Sequence, residues 1–440
     1  MINKLNYKTN IPALTIAVIL MIAIFTASNL RWGGSRWKGI FDVDAKGYYS
    51  YLPAVFIYHD LNFSFYDSIE NKHFKPENIF DYRKKIDNVW VNKYYCGTAF
   101  CQSPFFLATY IAGKFTVKKY DGFEKPFAIA ISFAALFYLF LGLFYLKKFL
   151  TLYGINDMNL ALVLFATIFG TNILYYVAVA PGMSHIYSFA FTCMFIYSAK
   201  KYFLSLNRKY FLLMAISIGI TVLIRPVNIL LMLSVPFLAG SIKTMKLGFT
   251  TILKNMPISL LSVIVFIIIV SLQLIIYKTA TGHFFVYSYS NEGFNFSELN
   301  IFNFLFSYKK GLFLYAPILL VAFVSGLFYL WKQRKFELVA FLIFFFVTVY
   351  VLSSWWMWWY GGSFGCRVFI EFIPLISILL GIALQECKSK KIKISIVFSI
   401  IVLILFTQIQ LYQYRHGIIH WEDMNYDRYW NVFMRVDKLI

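Results

Sequence analysis

Two aspartates, Asp42 and Asp44, stand a short distance after the first long apolar segment, and Lys46 and Tyr48 follow them. A carboxylate held there, ahead of an aromatic stretch, could act as a general base that takes a proton from a hydroxyl group. The alternative is that the aspartates cap the helix that follows, by accepting hydrogen bonds from its first backbone N–H groups. The residue types alone leave both interpretations open.

Four basic side chains elsewhere in the sequence could bind a phosphate: Arg225, Arg367, Lys93 and His185. Arginine and lysine suit this task because hydrogen bonds from a charged donor are about twice as strong as neutral ones. Arg367 also follows a glycine-rich stretch, whose backbone N–H groups could approach an anion. The alternatives are snorkelling to a membrane surface, pairing of Arg367 with Glu371, and, for His185, an ordinary place in the core.

The elements that must position these residues are membrane helices. Of the 440 residues, 60% are hydrophobic and 14% are charged, against about 25% charged in soluble proteins. Apolar segments of roughly 20 residues are long enough to cross a bilayer as helices, and lipid offers no partner to an unpaired backbone group. The segments without a charge are 11–30, 126–146, 158–180, 255–277, 311–331 and 394–414. The sequence therefore predicts an all-α polytopic membrane protein.

The net charge of +21 is concentrated in short loops, which indicates membrane topology rather than nucleic-acid binding. The basic loops are 1–10, 147–157, 200–209, 243–254, 332–335 and 388–393, and all six are predicted to be cytoplasmic. This orientation predicts eleven spans near 11–30, 126–146, 158–178, 183–199, 210–224, 227–242, 255–277, 311–331, 337–353, 367–385 and 394–414. The N-terminus is then cytoplasmic and the C-terminus lies outside.

Residues 1–440 are accordingly predicted to form a single integral membrane domain. A long first outer loop, 31–125, carries the aspartate pair, and 278–310 and 415–440 form a second outer loop and an outer tail. Within the first loop, the apolar stretch 97–113 is predicted to be an interfacial helix, since counting it as a span would reverse every later loop against its charge. Free thiols are expected for the five cysteines, which lack metal-ligand spacing.

The aspartate pair resembles a motif of the GT-C superfamily, glycosyltransferases that depend on a polyprenyl-phosphate sugar and include protein O-mannosyltransferases and the lipid A aminoarabinose transferase. Their motif has the form Asp-Glu-x-x-Tyr after the first span. Asp44 and Tyr48 match its ends, Ala45 replaces the second acid, and Asp42 could substitute for that acid. The stretch 93–97 resembles the segment before an interfacial helix in those enzymes, without its prolines.

This resemblance implies a GT-C-like fold and transfer of a hexose or pentose from a polyprenyl-phosphate donor, with Asp44 or Asp42 as base and inversion at the sugar. Arg225, Arg367, Lys93 and His185 would bind the donor phosphate. Tyr48, Lys46, Trp359 and Tyr360 would line the substrate groove, because aromatic faces pack on sugar rings. For Trp359 and Tyr360, the alternative is an interfacial aromatic belt shared with Trp355, Trp356 and Trp358.

The expected partners are membrane lipids, a lipid-linked sugar donor and a glycan, lipid or protein acceptor, with no nucleic acid. No cofactor is assigned, and a divalent metal at the aspartate pair is left open. The richness in lysine, isoleucine, asparagine and phenylalanine indicates an AT-rich bacterial genome, hence a location in the inner membrane. The alternative functions are a lipid or polysaccharide flippase, a transporter, and a surface-polysaccharide polymerase or ligase. Coupled transporters usually carry acids at mid-membrane and have two related halves. Here the uninterrupted spans lack Asp and Glu, Glu371 is the one acid clearly inside a predicted span, and no repeat is visible.

Overall fold

The computed structural model describes residues 10–74, 80–116 and 119–437. Residues 1–9, which make up most of the first predicted cytoplasmic loop (1–10), lie outside this range. The described chain folds into a bundle of α-helices with a short β-hairpin. It therefore agrees with the predicted all-α class, apart from the hairpin in the first predicted outer loop.

The helices of the first half surround the segment that carries the aspartates. They are α1 (Ile11–Ala27), α2 (Asp44–Pro53), α3 (Tyr66–His73), α4 (Gly97–Lys114), α5 (Lys125–Thr151), α6 (Asp157–Phe169), α7 (Ile173–Ala178), α8 (His185–Ser205) and α9 (Arg208–Ile224). Strands β1 (Arg83–Ile86) and β2 (Val89–Asn92) pair antiparallel between α3 and α4. Two π-helical turns, Ser28–Trp32 and Ala54–Tyr58, extend α1 and α2, and a 3₁₀ segment covers Arg36–Ile40.

The second half begins with a 3₁₀ segment, Pro226–Ser234, directly after Arg225. The helices that follow are α10 (Val235–Ala239), α11 (Ile242–Lys254), α12 (Met256–Thr281), α13 (Ile301–Phe306), α14 (Leu312–Tyr315), α15 (Pro317–Gln333), α16 (Lys335–Ser353), α17 (Ile373–Glu386), α18 (Lys390–Arg415) and α19 (Tyr426–Val432). A third 3₁₀ segment, Arg367–Phe372, leads into α17. The predicted division of 210–242 at Arg225-Pro226 is thus confirmed.

The number of membrane spans is only partly confirmed. Among the described residues, six helical stretches are long and apolar enough to cross a membrane: Ile11–Trp32, Lys125–Thr151, Met256–Thr281, Lys335–Ser353, Arg367–Glu386 and Lys390–Arg415. Counting the pair Pro226–Ala239 and Ile242–Lys254, bent by 118°, would give seven. The other predicted spans fall on helices outside this group, such as the shorter helices α6 and α7, which are separated at Gly170. The count of eleven is therefore not confirmed.

Helix α8 forms the centre of the bundle. It is buried along most of its length and packs against α5, α9 and the segment Arg367–Phe372. By contrast, α12 buries only three of its residues and exposes a surface of isoleucine, leucine and valine. An apolar helix surface of this kind is stable against lipid tails but not in water. His185, the first residue of α8, is therefore held by a helix that is buried along most of its length.

Helix α2 is anchored on several sides, which fixes the position of Asp44 at its first turn. Residues 45–53 are all buried. The Asn92 side-chain amide donates to the backbone carbonyl of Gly47 at 2.7 Å, and the Tyr51 hydroxyl donates to the carbonyl of Tyr94 at 2.7 Å. These bonds tie α2 to the hairpin and to the segment that precedes α4.

Gly97, the first residue of α4, lies directly against the end of α9. A Cβ atom at this position would overlap the backbone of Leu223 and Ile224, the two residues before Arg225. Backbone cannot yield as a flexible side chain can, so the close approach requires glycine here. The contact fixes α4 beside Arg225.

We expect Gly97→Ala to lower the free energy of unfolding by about 1–3 kcal/mol, because the added methyl group forces α4 away from α9. The thermal-unfolding midpoint of the detergent-solubilised protein measures the effect. Gly293→Ala is the matched control, since a Cβ atom there meets nothing closer than the Tyr287 hydroxyl at 3.7 Å. Equal midpoints for the two variants would show that the contact at Gly97 is not tight.

Candidate active site

The carboxylate of Asp44 lies at the centre of the candidate site. Its Oδ2 atom is 2.8 Å from Nη2 of Arg367, and its Oδ1 atom accepts a hydrogen bond from the Tyr94 hydroxyl at 2.6 Å. The side chains of Asp44 and Arg367 are 14% and 15% exposed. The ion pair is therefore sheltered from solvent and still within reach of a ligand.

A strained turn separates the two aspartates. Val43 has φ 51° and ψ −125°, a conformation that costs a β-branched residue on the order of 1–3 kcal/mol. Asp42 is exposed and lies with Arg31 beside Gly39, whereas Asp44 faces Arg367. Neither aspartate caps α2: the N-cap residue is Val43, and no side chain makes a capping hydrogen bond there. Helix capping therefore does not account for the pair.

The surroundings of Asp44 keep its carboxylate ionised. Burial raises the pKa of Asp44. The Arg367 charge, the Tyr94 hydrogen bond and the Lys93 charge lower this pKa by more than burial raises it, so the net shift is downward. The group is thus a carboxylate at neutral pH. An ionised carboxylate can accept a proton, as a general base must.

Arg225 and His185 meet at a second carboxylate, Glu371. Oε1 of Glu371 is 3.2 Å from Nη1 of Arg225 and 3.0 Å from Nδ1 of His185, and the Glu371 side chain is fully buried. A buried acid is costly unless it is paired, so Glu371 positions both basic groups. Sequence reasoning considered Glu371 as a partner of Arg367 and as an acid inside a span, but not as the partner of Arg225 and His185.

That alternative pairing of Arg367 with Glu371 is wrong, because Arg367 pairs with Asp44 instead. The reason is local geometry. Residues four apart share a face of an α-helix, but Arg367–Phe372 is a 3₁₀ segment, in which residues three apart are aligned. Glu371 is therefore turned away from Arg367 and towards α8 and Arg225.

Tyr48 and Lys93 complete the surroundings of Asp44. The rings of Tyr48 and Tyr94 are 4.6 Å apart, and Lys93 pairs with Glu292 at 2.6 Å. Burial raises the pKa of Tyr48, Arg225 lowers it and Asp44 raises it. Both charges thus act on one side chain. The structure brings Asp44 and the four predicted phosphate-binding residues together at one end of the bundle, the Asp44 end.

The predicted groove residues separate into two groups. Tyr360 lies at the site, with its ring centroid 6.0 Å from the Arg225 guanidinium, and the ring of Trp359 faces Lys309 at 3.6 Å. Lys46 is instead 1% exposed, paired with Glu70 at 2.5 Å and stacked on the Phe74 ring at 3.9 Å. The structure therefore places Lys46 in the packing beneath α2 rather than in an open groove.

The arrangement around Asp44 does not fit a divalent metal ion. Both carboxylate oxygens already accept hydrogen bonds, and a cation bound there would lie against the Arg367 charge. Among the described residues, the cluster spaced for a metal is His73, Asp121 and Glu124. There Asp121 pairs with Lys72 at 2.6 Å, so internal contacts account for that cluster. The five cysteines are free and buried, as expected.

Sequence reasoning missed Tyr94 as the partner of Asp44, although it lies next to the predicted Lys93. It counted Lys309 and Lys310 among the outward basic groups that could hold a phosphate, but it did not predict the burial of Lys310. The Lys310 side chain is buried and donates a hydrogen bond to the carbonyl of Ser363, just before Arg367. Burial, with Arg367 and Lys309 nearby, lowers the pKa of Lys310 to about 7. The apolar residues that follow Gly311 were the feature of the sequence that could have indicated the burial of Lys310.

We expect the stability of the wild-type protein to rise with pH relative to Lys310→Met between pH 7 and pH 10. In that window the unfolded lysine holds a proton that the folded one has lost, so raising the pH favours folding. The difference in unfolding free energy between the wild-type protein and Lys310→Met should change by about 1–2 kcal/mol as the pH is raised. Thermal midpoints at pH 7 and pH 9 measure it, with Lys309→Met as control. A difference that does not vary with pH would contradict a deprotonated Lys310.

Comparisons with known proteins identify the fold. No protein-family model matches the chain, and no curated protein matches it. Solved structures do match, among them two of the Archaeoglobus fulgidus oligosaccharyltransferase: the apo form, with a TM-score of 0.50, and AglB in complex with an inhibitory peptide and a dolichol-phosphate, with a TM-score of 0.51. The identity is 12% in each case.

These alignments cover 97% and 96% of this chain, and 58% and 57% of the archaeal chains. The chain thus spans less than two thirds of the length of the proteins it resembles. Almost all of it nevertheless follows the fold of the archaeal oligosaccharyltransferase AglB. The predicted GT-C resemblance is confirmed at the level of the fold.

Proposed function

We propose that this protein is a glycosyltransferase that moves a sugar from a polyprenyl-phosphate donor to an acceptor of the cell envelope. The observation that carries this proposal is the ionised Asp44, which is held by Arg367 and Tyr94 at the end of the bundle where Arg225, His185 and Lys93 also lie. A base next to several phosphate-binding groups is the combination that transfer from a lipid phosphate requires. The fold shared with the archaeal oligosaccharyltransferase supports the same reaction class.

Asp44 would act as the base. Its two oxygens offer about four lone-pair sites, of which Arg367 and Tyr94 occupy two. An acceptor hydroxyl can donate to a remaining site and pass its proton to the carboxylate as its oxygen attacks the anomeric carbon. The bond between that carbon and the lipid phosphate breaks, and the phosphate leaves with the electron pair. The configuration at the sugar is inverted.

Arg367, Arg225 and Lys93 would bind the departing phosphate. Each has an acidic partner in the structure, namely Asp44, Glu371 and Glu292. An arginine carries five N–H donors, so a guanidinium that holds a carboxylate can also bind a phosphate oxygen. Arg367 would then link the base to the leaving group. Tyr48, Trp359 and Tyr360 would contact the sugar.

The archaeal neighbour was solved with a dolichol-phosphate and an inhibitory peptide. A polyprenyl-phosphate donor for this chain is consistent with that complex. We place the Asp44 end at the outer face of a bacterial inner membrane, with the N-terminus cytoplasmic, because the lysine-rich loops favour this orientation. Modification of single cysteines introduced near Asp44, by a reagent that does not cross membranes, tests the placement.

We expect Asp44→Asn to reduce sugar transfer by about 10²–10⁴-fold, because the amide cannot accept the acceptor proton. Mass spectrometry of envelope glycolipids and glycans first compares cells with and without the gene. Deletion strains carrying each variant are then compared for the missing sugar. Asp42→Asn tests the second acid, and Asp423→Asn, at an exposed ion pair with Arg428, is the matched control.

Full transfer by both Asp44→Asn and Asp42→Asn would overturn the assignment of the base. Two results together would identify a flippase instead. Unmodified substrate would accumulate on the cytoplasmic side of the membrane in the deletion strain, and the purified protein would transfer no sugar. The level of inserted protein must be equal in all strains, since Asp44 also forms an ion pair with Arg367.

We expect Arg367→Gln to move the acidic limb of the pH–rate profile to higher pH. Without the Arg367 charge, burial dominates and the pKa of Asp44 rises, so its active carboxylate form is lost at a higher pH as the solution is acidified. Arg367→Lys keeps a positive charge and should move the limb less. Initial transfer rates between pH 4 and pH 8 measure the shift. An unchanged acidic limb in Arg367→Gln would show that Asp44 is not the group that accepts the proton.

A further inference from the structure

A cavity of 390 Å³ lies at the Asp44 end, between the ends of α1, α7 and α18. Three arginines line it: Arg31, Arg36 and Arg415. Aromatic side chains complete its walls. They are Tyr175, Tyr414 and Trp421. We call this space the arginine cavity. Its volume is within the range of about 300–1,000 Å³ that is common for small-ligand sites.

The arginine cavity has an excess of positive charge, because three arginines line it and no acid does, although Asp42 lies near Arg31, beside Gly39. No carboxylate oxygen of the described residues lies within 4.0 Å of these three guanidinium groups. Arg31 donates to the backbone carbonyls of Val179 at 2.6 Å and Arg36 at 3.4 Å, and Arg36 donates to that of Gly33 at 3.4 Å. These neutral acceptors orient Arg31 and Arg36, and Asp42 offsets only part of the positive charge of the three arginines. Like charges gathered in one cavity repel one another, so an anion bound among them lowers the energy.

The arginine cavity is close to the base but separate from the proposed phosphate site. Arg31 and Asp42 both lie beside Gly39, where a Cβ atom would overlap the guanidinium of Arg31. Asp42 precedes Asp44 by two residues, so their Cα atoms are at most about 7 Å apart. Tyr175 and Tyr414, with ring centroids 5.6 Å apart, form the wall facing the centre of the bundle.

We propose that the arginine cavity binds an anionic group of the acceptor, a phosphate or a carboxylate, and so orients the acceptor hydroxyl towards Asp44. This inference rests on the proposed function. An inverting displacement requires the attacking oxygen and the departing phosphate on opposite sides of the anomeric carbon. The donor phosphate would lie with Arg225 and Lys93, so the acceptor must approach from another side. The cavity beside Asp42 provides that approach, and its three arginines select an acidic substrate.

The test compares binding of two lipid phosphates to the purified full-length protein. Radiolabelled dioctanoyl phosphatidic acid represents an acceptor phosphate, and a short-chain polyprenyl phosphate represents the donor. Dioctanoylglycerol is the uncharged competitor, and inorganic phosphate tests whether the anion alone suffices. Arg415→Gln is the preferred variant, because the Arg415 side chain makes no hydrogen bond to the described residues. Arg428→Gln, an exposed arginine of α19 that pairs with Asp423, is the matched control.

We expect Arg415→Gln to weaken binding of phosphatidic acid by about ten-fold or more, as loss of a charge-assisted contact requires. Binding of polyprenyl phosphate should stay within two-fold of the wild type, and Arg428→Gln should alter neither. Arg225→Gln should show the reverse pattern. Competition by inorganic phosphate but not by dioctanoylglycerol would assign recognition to the anion.

Three results would overturn the inference. The first is a wild-type protein that binds no phosphatidic acid. The second is equal binding by Arg415→Gln and Arg428→Gln. The third is selective loss of polyprenyl phosphate in Arg415→Gln, which would make the cavity a donor site. None of these measurements requires transfer, and Asp44→Asn should bind phosphatidic acid normally. The glycan analysis therefore tests the transferase proposal, and the phosphatidic acid binding measurements test the proposed acceptor site in the arginine cavity.

Discussion

The ion pair between Asp44 and Arg367 is the interaction on which the candidate site depends. It joins the first turn of α2 to the segment that leads into α17, two parts of the chain that are far apart in sequence. Sheltering two charges is costly, and their attraction offsets that cost only when the geometry is good. Here the Tyr94 hydroxyl satisfies the second oxygen of the carboxylate. The base is thus assembled only when both halves of the bundle are folded.

The same principle applies to the other charges at the Asp44 end. Glu371 is fully buried and holds Arg225 and His185, and Glu70 holds the buried Lys46. Charged groups inside a membrane protein must be paired or solvated. The three arginines of the arginine cavity differ because none of them forms a close ion pair with the described residues, and Arg31 and Arg36 donate to backbone carbonyls instead. That contrast separates charges that support the structure from charges that are available to a ligand.

Much of the fold could be predicted from the sequence, since long apolar segments must become helices in lipid. The break at Arg225-Pro226 and the helix at 97–113 followed from the same reasoning, and the helix is observed as α4. The number of spans could not be predicted as well. Hydrophobicity marks a helix that is able to cross, but α6, α7 and α15 are short, and packing against neighbours decides their course.

The candidate site was predicted in its composition but not in its pairing. Asp44, Arg225 and Arg367 were identified from residue chemistry and a resemblance, and the structure brings them together. Their partners depend on local geometry that no spacing rule supplied. The 3₁₀ turn after Cys366 directs Glu371 away from Arg367, and Tyr94 reaches Asp44 because the hairpin folds back over α2.

The unusual backbone of Val43 has a consequence for the acids on either side of it. In an extended strand, residues two apart lie on the same face, so Asp42 and Asp44 would share one environment, where two negative charges raise each other's proton affinity. The reversal at Val43 instead sends one carboxylate towards Arg31 and the other towards Arg367. The tripeptide Asp42-Val43-Asp44 therefore places one carboxylate near each of two basic regions. Any change that relaxes the backbone of Val43 alters both electrostatic environments together.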